Sequence, residues 1–124
     1  MGKGNKQIHI IRIGLPDLQV MEQILAVYAQ GIRSVPFLLP LRDAYLSRIN
    51  NLRERIAILR TEPVRSAIQD FSLSHAELDL IDCAFTVFIA AVRECVPPSK
   101  ERNEVIRGCR ELQAYILSGA PPSN

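Results

Sequence analysis

His75, Asp79 and Asp82 stand at i, i+4 and i+7, so a helix through them presents one imidazole and two carboxylates on a single face. Those are ligand types for a divalent metal, and a metal-bound water there would do hydrolytic chemistry. A metal site needs further ligands. The chain's only other histidine is His9, and Glu101, Glu104 and Glu111 show no spacing that joins the set. An acidic first turn also has a structural cause, because Glu77 and Asp79 complement the positive end of a helix dipole. A metal-dependent hydrolase is therefore the third reading of this sequence, and no cofactor is expected.

Arginine is the second chemical resource. Twelve of the fifteen basic residues are Arg, the type suited to bidentate carboxylate or phosphate contacts. The net charge is only +2. By segment, however, residues 33–65 carry seven Arg against three acids, or +4, while residues 66–95 carry Arg93 against five acids, or −4. Arg48, Arg53, Arg55 and Arg60 are the candidates for phosphate or partner binding. At about 100° per residue, Arg42, Arg53 and Arg60 fall on one flank of an apolar stripe and Arg48 and Arg55 on the other. Charges flanking a seam in this way usually pair with acidic flanks of a neighbouring helix, and Glu77 and Asp82 flank the seam of the residue 75–95 helix. Internal or subunit pairing is favoured over a polyanion ligand.

The thiols offer little. Cys83, Cys95 and Cys109 are odd in number and widely spaced, and Cys109 falls on a core stripe, where cysteine acts as a small hydrophobe. Reflecting the last helical hairpin about Pro97 and Pro98 brings Cys109 near Thr86, so a Cys95–Cys109 disulfide is not expected. No Gly-rich phosphate loop, G-x-S-x-G, C-x-x-C or H-E-x-x-H pattern occurs. Aromatic residues make up 6% of the chain with no Trp, which leaves few platforms for stacking bases or sugars.

The elements that must position these residues read as helices. With 124 residues, 48% hydrophobic and 23% charged, the chain is globular in composition and long enough for one core. Residues 1–16 are expected to form an extension, 17–118 a single helical domain and 119–124 a disordered tail. Within the extension, residues 7–13 are β-branched and strand-like, yet no second strand-like run is evident to pair with them. They would pair with a symmetry mate, lie extended over the helices or lead irregularly into the first helix.

The first helix starts at Pro16-Asp17 and carries Leu18, Met21, Leu25, Tyr28 and Ile32, with Gly31 near its end. Pro36 and Pro40 bracket Phe37, Leu38 and Leu39, an apolar turn expected to face the core or a partner. A second helix over about 41–60 carries Tyr45, Ile49, Leu52, Ile56 and Leu59, and Thr61 would cap a short helix over 63–70. Ser74-His75-Ala76-Glu77 is a capping box. It opens a helix with a seam of Leu78, Ile81, Phe85, Phe88 and Val92 that is apolar nearly all round and belongs at the centre. Ser99 caps the last helix, with its stripe of Val105, Cys109, Leu112 and Ile116. No internal repeat is evident.

The expected fold class is thus all-α, a four-helix-bundle-like domain with a short extra helix and an extended or strand-like N-terminal segment. The start at Met1-Gly2 lacks the Ser or Thr that myristoylation wants where Lys6 stands, and the run Leu80 to Val92 is shorter than the roughly 20 residues of a membrane span. No leader pattern opens the chain, so a cytoplasmic setting is expected. The expected function is a small, non-catalytic interaction module that docks a protein partner and forms a homo-oligomer. The alternative is a nucleic-acid-associated protein with its arginine-rich helix on phosphates.

Overall fold

A computed structural model describes residues 8–34, 39–61 and 68–118. The order is β1 (Ile8–Gly14), α1 (Leu15–Arg33), α2 (Leu39–Thr61), β2 (Ile68–Ser74), α3 (His75–Cys95) and α4 (Lys100–Ser118). The described chain is mostly helical, and β1 and β2 form a two-stranded antiparallel sheet.

The partner of the N-terminal strand is the main correction to the sequence reading. Ile68-Gln-Asp-Phe-Ser-Leu-Ser has too little β-branched density to announce a strand, and residues 68–70 were expected to end a short helix. They belong instead to β2, where Phe71 and Leu73 turn inward and Asp70 and Ser72 outward. Pairing with β1 outweighs local propensity, because strand preference depends mostly on what a side chain packs against. Residues 62–67, which hold the rest of that expected helix, lie outside the described residues.

The second correction is that the chain contains an internal repeat. Each half runs strand, helix, helix, and each feature recurs sixty positions on, as Ile68 does for Ile8. Ile11 and Ile13 are buried in β1, and Phe71 and Leu73 in β2. Leu18, Met21, Leu25 and Ala29 of α1 are matched by Leu78, Ile81, Phe85 and Ile89 of α3; Ile49, Leu52 and Ile56 of α2 are matched by Cys109, Leu112 and Ile116 of α4. The duplication hides in sequence because burial constrains size and polarity rather than identity. Among aligned positions only a few are the same residue, such as Leu18 and Leu78, Arg33 and Arg93, Arg42 and Arg102, Leu52 and Leu112.

By compactness the chain divides into two units. One holds Ile8–Ile13 with Asp70–Ser118; the other holds Gly14–Arg33, α2 and residues 68–69. In the first unit α3 packs on α4, and the Tyr115 hydroxyl of α4 donates to the Arg12 carbonyl, tying β1 to the helices. In the second unit α1 packs on α2.

Local signals account for most helix ends. Ser74 accepts from the Glu77 amide at 3.1 Å while the Glu77 carboxylate accepts from the Ser74 amide at 2.9 Å, which is the capping box read from sequence. Gly14 holds the equivalent N-cap of α1 with no side-chain bond. Ser99 accepts from the Arg102 amide at 3.0 Å and starts α4. Other ends differ from expectation. α1 runs through Gly31 to Arg33, α2 takes Pro40 into its first turn, where a missing amide costs nothing, and Thr61 closes α2 rather than capping a new helix, its hydroxyl donating to the Ala57 carbonyl at 2.9 Å. Tyr45 is exposed and Leu59 half-buried, so the buried stripe of α2 is Ile49, Leu52 and Ile56. In α4, Ile106 is buried where Val105 was expected.

The helix expected at the centre, α3, is less enclosed than its composition implied. α3 buries Leu78, Leu80, Ile81, Ala84, Phe85 and Ile89, yet Val87 is 48% exposed and Ala90 and Ala91 face solvent. Small apolar residues on an outer face cost little, so composition overstated how many sides of this helix are covered.

Candidate functional site

The arginines of α2 do not converge. Arg53 is half-buried and paired with Glu22 of α1, its Nε at 3.1 Å and Nη2 at 3.0 Å from Oε2. Arg42 donates from Nη1 to the Arg33 carbonyl at 3.2 Å, closing the C-terminus of α1. Arg48 and Arg60 are exposed, and Arg55 is half-buried. The seam-flanking arginine thus does find a carboxylate, but on α1. The acids first matched to it are used elsewhere: Glu77 completes the capping box, and Asp82 accepts from Gln113 Nε2 of α4 at 2.7 Å.

His75 and Asp79 are exposed at the start of α3, and Asp82 is held by Gln113. Among the described residues no group of three His, Cys, Asp or Glu side chains is gathered as a metal site. All three cysteines are free thiols; Cys83 and Cys95 are exposed, while Cys109 is buried and its thiol pKa is raised by desolvation. Phe37 and Leu38 lie outside the described residues, and Leu39 is the first residue of α2.

Two surfaces stand out instead. The first is the outward face of the strand pair. Strand alternation sends Ile8, Ile10 and Arg12 of β1 outward, together with Ile68, Asp70 and Ser72 of β2. Ile8, Ile10 and Ile68 are 57%, 56% and 57% exposed. The only charges on this face among the described residues, Arg12 and Asp70, sit 3.6 Å apart and cancel.

The second is an open groove of about 530 Å³ on the α3–α4 hairpin, lined by Arg93, Arg102, Asn103, Arg107, Arg110 and Glu111 together with Ile106 and Ala114. Arg102 is fixed, its Nη1 donating to the carbonyls of Arg93 and Val96 at 3.2 Å each, and its buried Nε has no hydrogen-bond partner. This groove is hidden in the segment charge, because residues 96–124 sum to only +1. The usable signal was angular: residues 103, 107, 110 and 114 form one stripe of α4, from which the acids Glu101 and Glu104 are rotated away.

No helix among the described residues is long and apolar enough to cross a membrane. Compared with protein-family models, curated proteins and solved structures, the chain matches none.

Proposed function

We propose that this protein is a non-catalytic assembly module that associates with a second copy of itself through the outward face of the β1–β2 pair. The carrying observation is the exposure of Ile8 and Ile10, neighbours on the outward face of β1. Adjacent exposed apolar side chains on a strand face favour burial against another apolar face, at about 25 cal/mol per Å² removed from water. Self-association also suits the charges, since in a twofold interface Arg12 of each copy can meet Asp70 of the other. A two-stranded ribbon has the size to enter a DNA major groove, but reading bases there takes hydrogen-bonding side chains, and Ile8 and Ile10 supply none. The three free thiols suit a reducing compartment such as the cytoplasm.

Light scattering on the purified protein at high micromolar concentration tests this reading. A dimer or larger species is expected, and Ile8→Asp/Ile10→Asp should convert it to a monomer with an unchanged far-ultraviolet spectrum, both positions being exposed. A monomeric wild type, or an assembly that survives the double substitution, overturns it.

A further inference from the structure

We infer that the α3–α4 groove is a binding site for the phosphate backbone of a nucleic acid, a surface separate from the self-association face. Four arginines against Glu111 give the groove +3, more than the +2 of the whole chain. Among the described residues Arg93, Arg107 and Arg110 have no ion pair, although the chain has thirteen acidic residues. The repeat supplies an internal control. The matching groove on α2 is lined by Asp43, Leu46, Ser47, Asn50, Asn51 and Glu54, and with Arg33 and Arg42, the counterparts of Arg93 and Arg102, the equivalent eight positions carry two positive and two negative charges, a net of 0. Ser47 and Asn50 stand where Arg107 and Arg110 stand in the second half. The same scaffold therefore tolerates neutral residues at the positions of Arg107 and Arg110, so fold stability does not require these two arginines, whereas Arg33 and Arg42 keep the counterparts of Arg93 and Arg102.

The chemistry selects phosphate. All four cations are Arg, whose planar fork matches a phosphate bidentately, and Asn103 adds a donor of the kind common in backbone contacts. Arg102 is held in place by two carbonyls, which lowers the ordering cost of one contact. The groove is open to solvent, which suits a chain passing along it better than a compact ligand that a pocket would largely enclose. The stripe from Asn103 to Arg110 covers about 10 Å of helix axis, room for more than one phosphate. The groove has no aromatic lining for stacking unpaired bases, so a duplex backbone is the fitting form. An acidic peptide fits less well, because beyond the arginines the groove offers only Ala114 and the buried Ile106 as apolar anchors.

The test is fluorescence anisotropy of a labelled mixed-sequence DNA duplex of about 20 base pairs, titrated with the full-length protein between about 50 and 200 mM salt. With three to four phosphates contacted, log K should fall with log salt at a slope of about −3. Arg107→Gln/Arg110→Gln should weaken binding at least about tenfold and flatten the slope by about 2, while Glu111→Gln should tighten it. Arg107 and Arg110 are exposed, so circular dichroism should show the variant folded. Absence of binding at low salt, or a double variant that binds like wild type, overturns the proposal. Competition by poly-glutamate as effective as that by an equal charge of unlabelled duplex also overturns it, in favour of an acidic protein partner.

Discussion

Arg53 on α2 holds Glu22 on α1 through two guanidinium nitrogens, at 3.1 and 3.0 Å from the same carboxylate oxygen. Sixty positions on, Gln113 of α4 holds Asp82 of α3 at 2.7 Å, and also reaches the Asp82 carbonyl and Thr86 hydroxyl at 3.3 and 3.2 Å. Each helical hairpin is thus latched at the same point, once by a charged donor and once by a neutral one. Both latches join residues 31 apart in sequence, so each fixes how its hairpin closes.

A double-mutant cycle of Arg53→Met and Glu22→Gln should give a coupling energy of about 1 kcal/mol at low ionic strength, the upper end for partly exposed pairs. Raising the salt should shrink it. The corresponding cycle of Gln113→Leu and Asp82→Asn should change much less with salt, because only one partner carries charge. Equal salt responses in the two cycles would contradict a Coulombic role for Arg53.

Leu52 and Leu112 are equivalent positions with different enclosure, 0% and 9% exposed. Leu52→Ala should cost about 3 to 5 kcal/mol in urea unfolding, since a fully packed site leaves a cavity that cannot collapse. Leu112→Ala should cost about 2 to 3 kcal/mol, because its rim is already open to water. A larger loss at Leu112 would mean that the α3–α4 hairpin is the more tightly packed of the two.

Thiol chemistry should separate the cysteines. Cys83 and Cys95 are exposed and should react promptly with a thiol reagent, whereas Cys109 should react only on unfolding. Burial raises the Cys109 pKa above the ordinary value of 9.0, so the unfolded chain releases that proton first as pH rises. The stability this group contributes is complete below pH 9.0 and is lost as pH climbs through the folded value. The stability difference between wild type and Cys109→Ala should accordingly be flat below that pH and narrow above it.

How far each feature was legible follows from how local its cause is. The capping box at Ser74 and Glu77, the Ser99 cap and part of each stripe were readable, because a helix registers in spacings of three and four along its own chain: Leu18, Met21 and Leu25 of α1, Leu78, Ile81 and Phe85 of α3, and Cys109, Leu112 and Ile116 of α4 are buried, while Tyr28, Ile32, Phe88 and Val92 are half-buried and Val105 is exposed. The strand at residues 68–74 was not, since Phe71 and Leu73 acquire their meaning only from a partner some sixty residues away. The arginine groove was partly legible. The one-face spacing of Asn103, Arg107 and Arg110 lies within α4, but the contribution of Arg93 and the anchoring of Arg102 depend on how α3 and α4 meet.

The amino-acid sequence by itself determined a mainly helical chain with defined caps and apolar stripes, and an arginine supply with no enzymatic signature. Tertiary structure alone decided that the N-terminal strand pairs within the chain, that the chain is a duplicated strand–helix–helix unit, and that Arg53 meets Glu22 rather than an acid of α3. The reason is physical. Periodicity and capping are set by neighbours within a turn or two, whereas strand pairing, ion-pair choice and groove charge depend on which distant segments come together when the core closes.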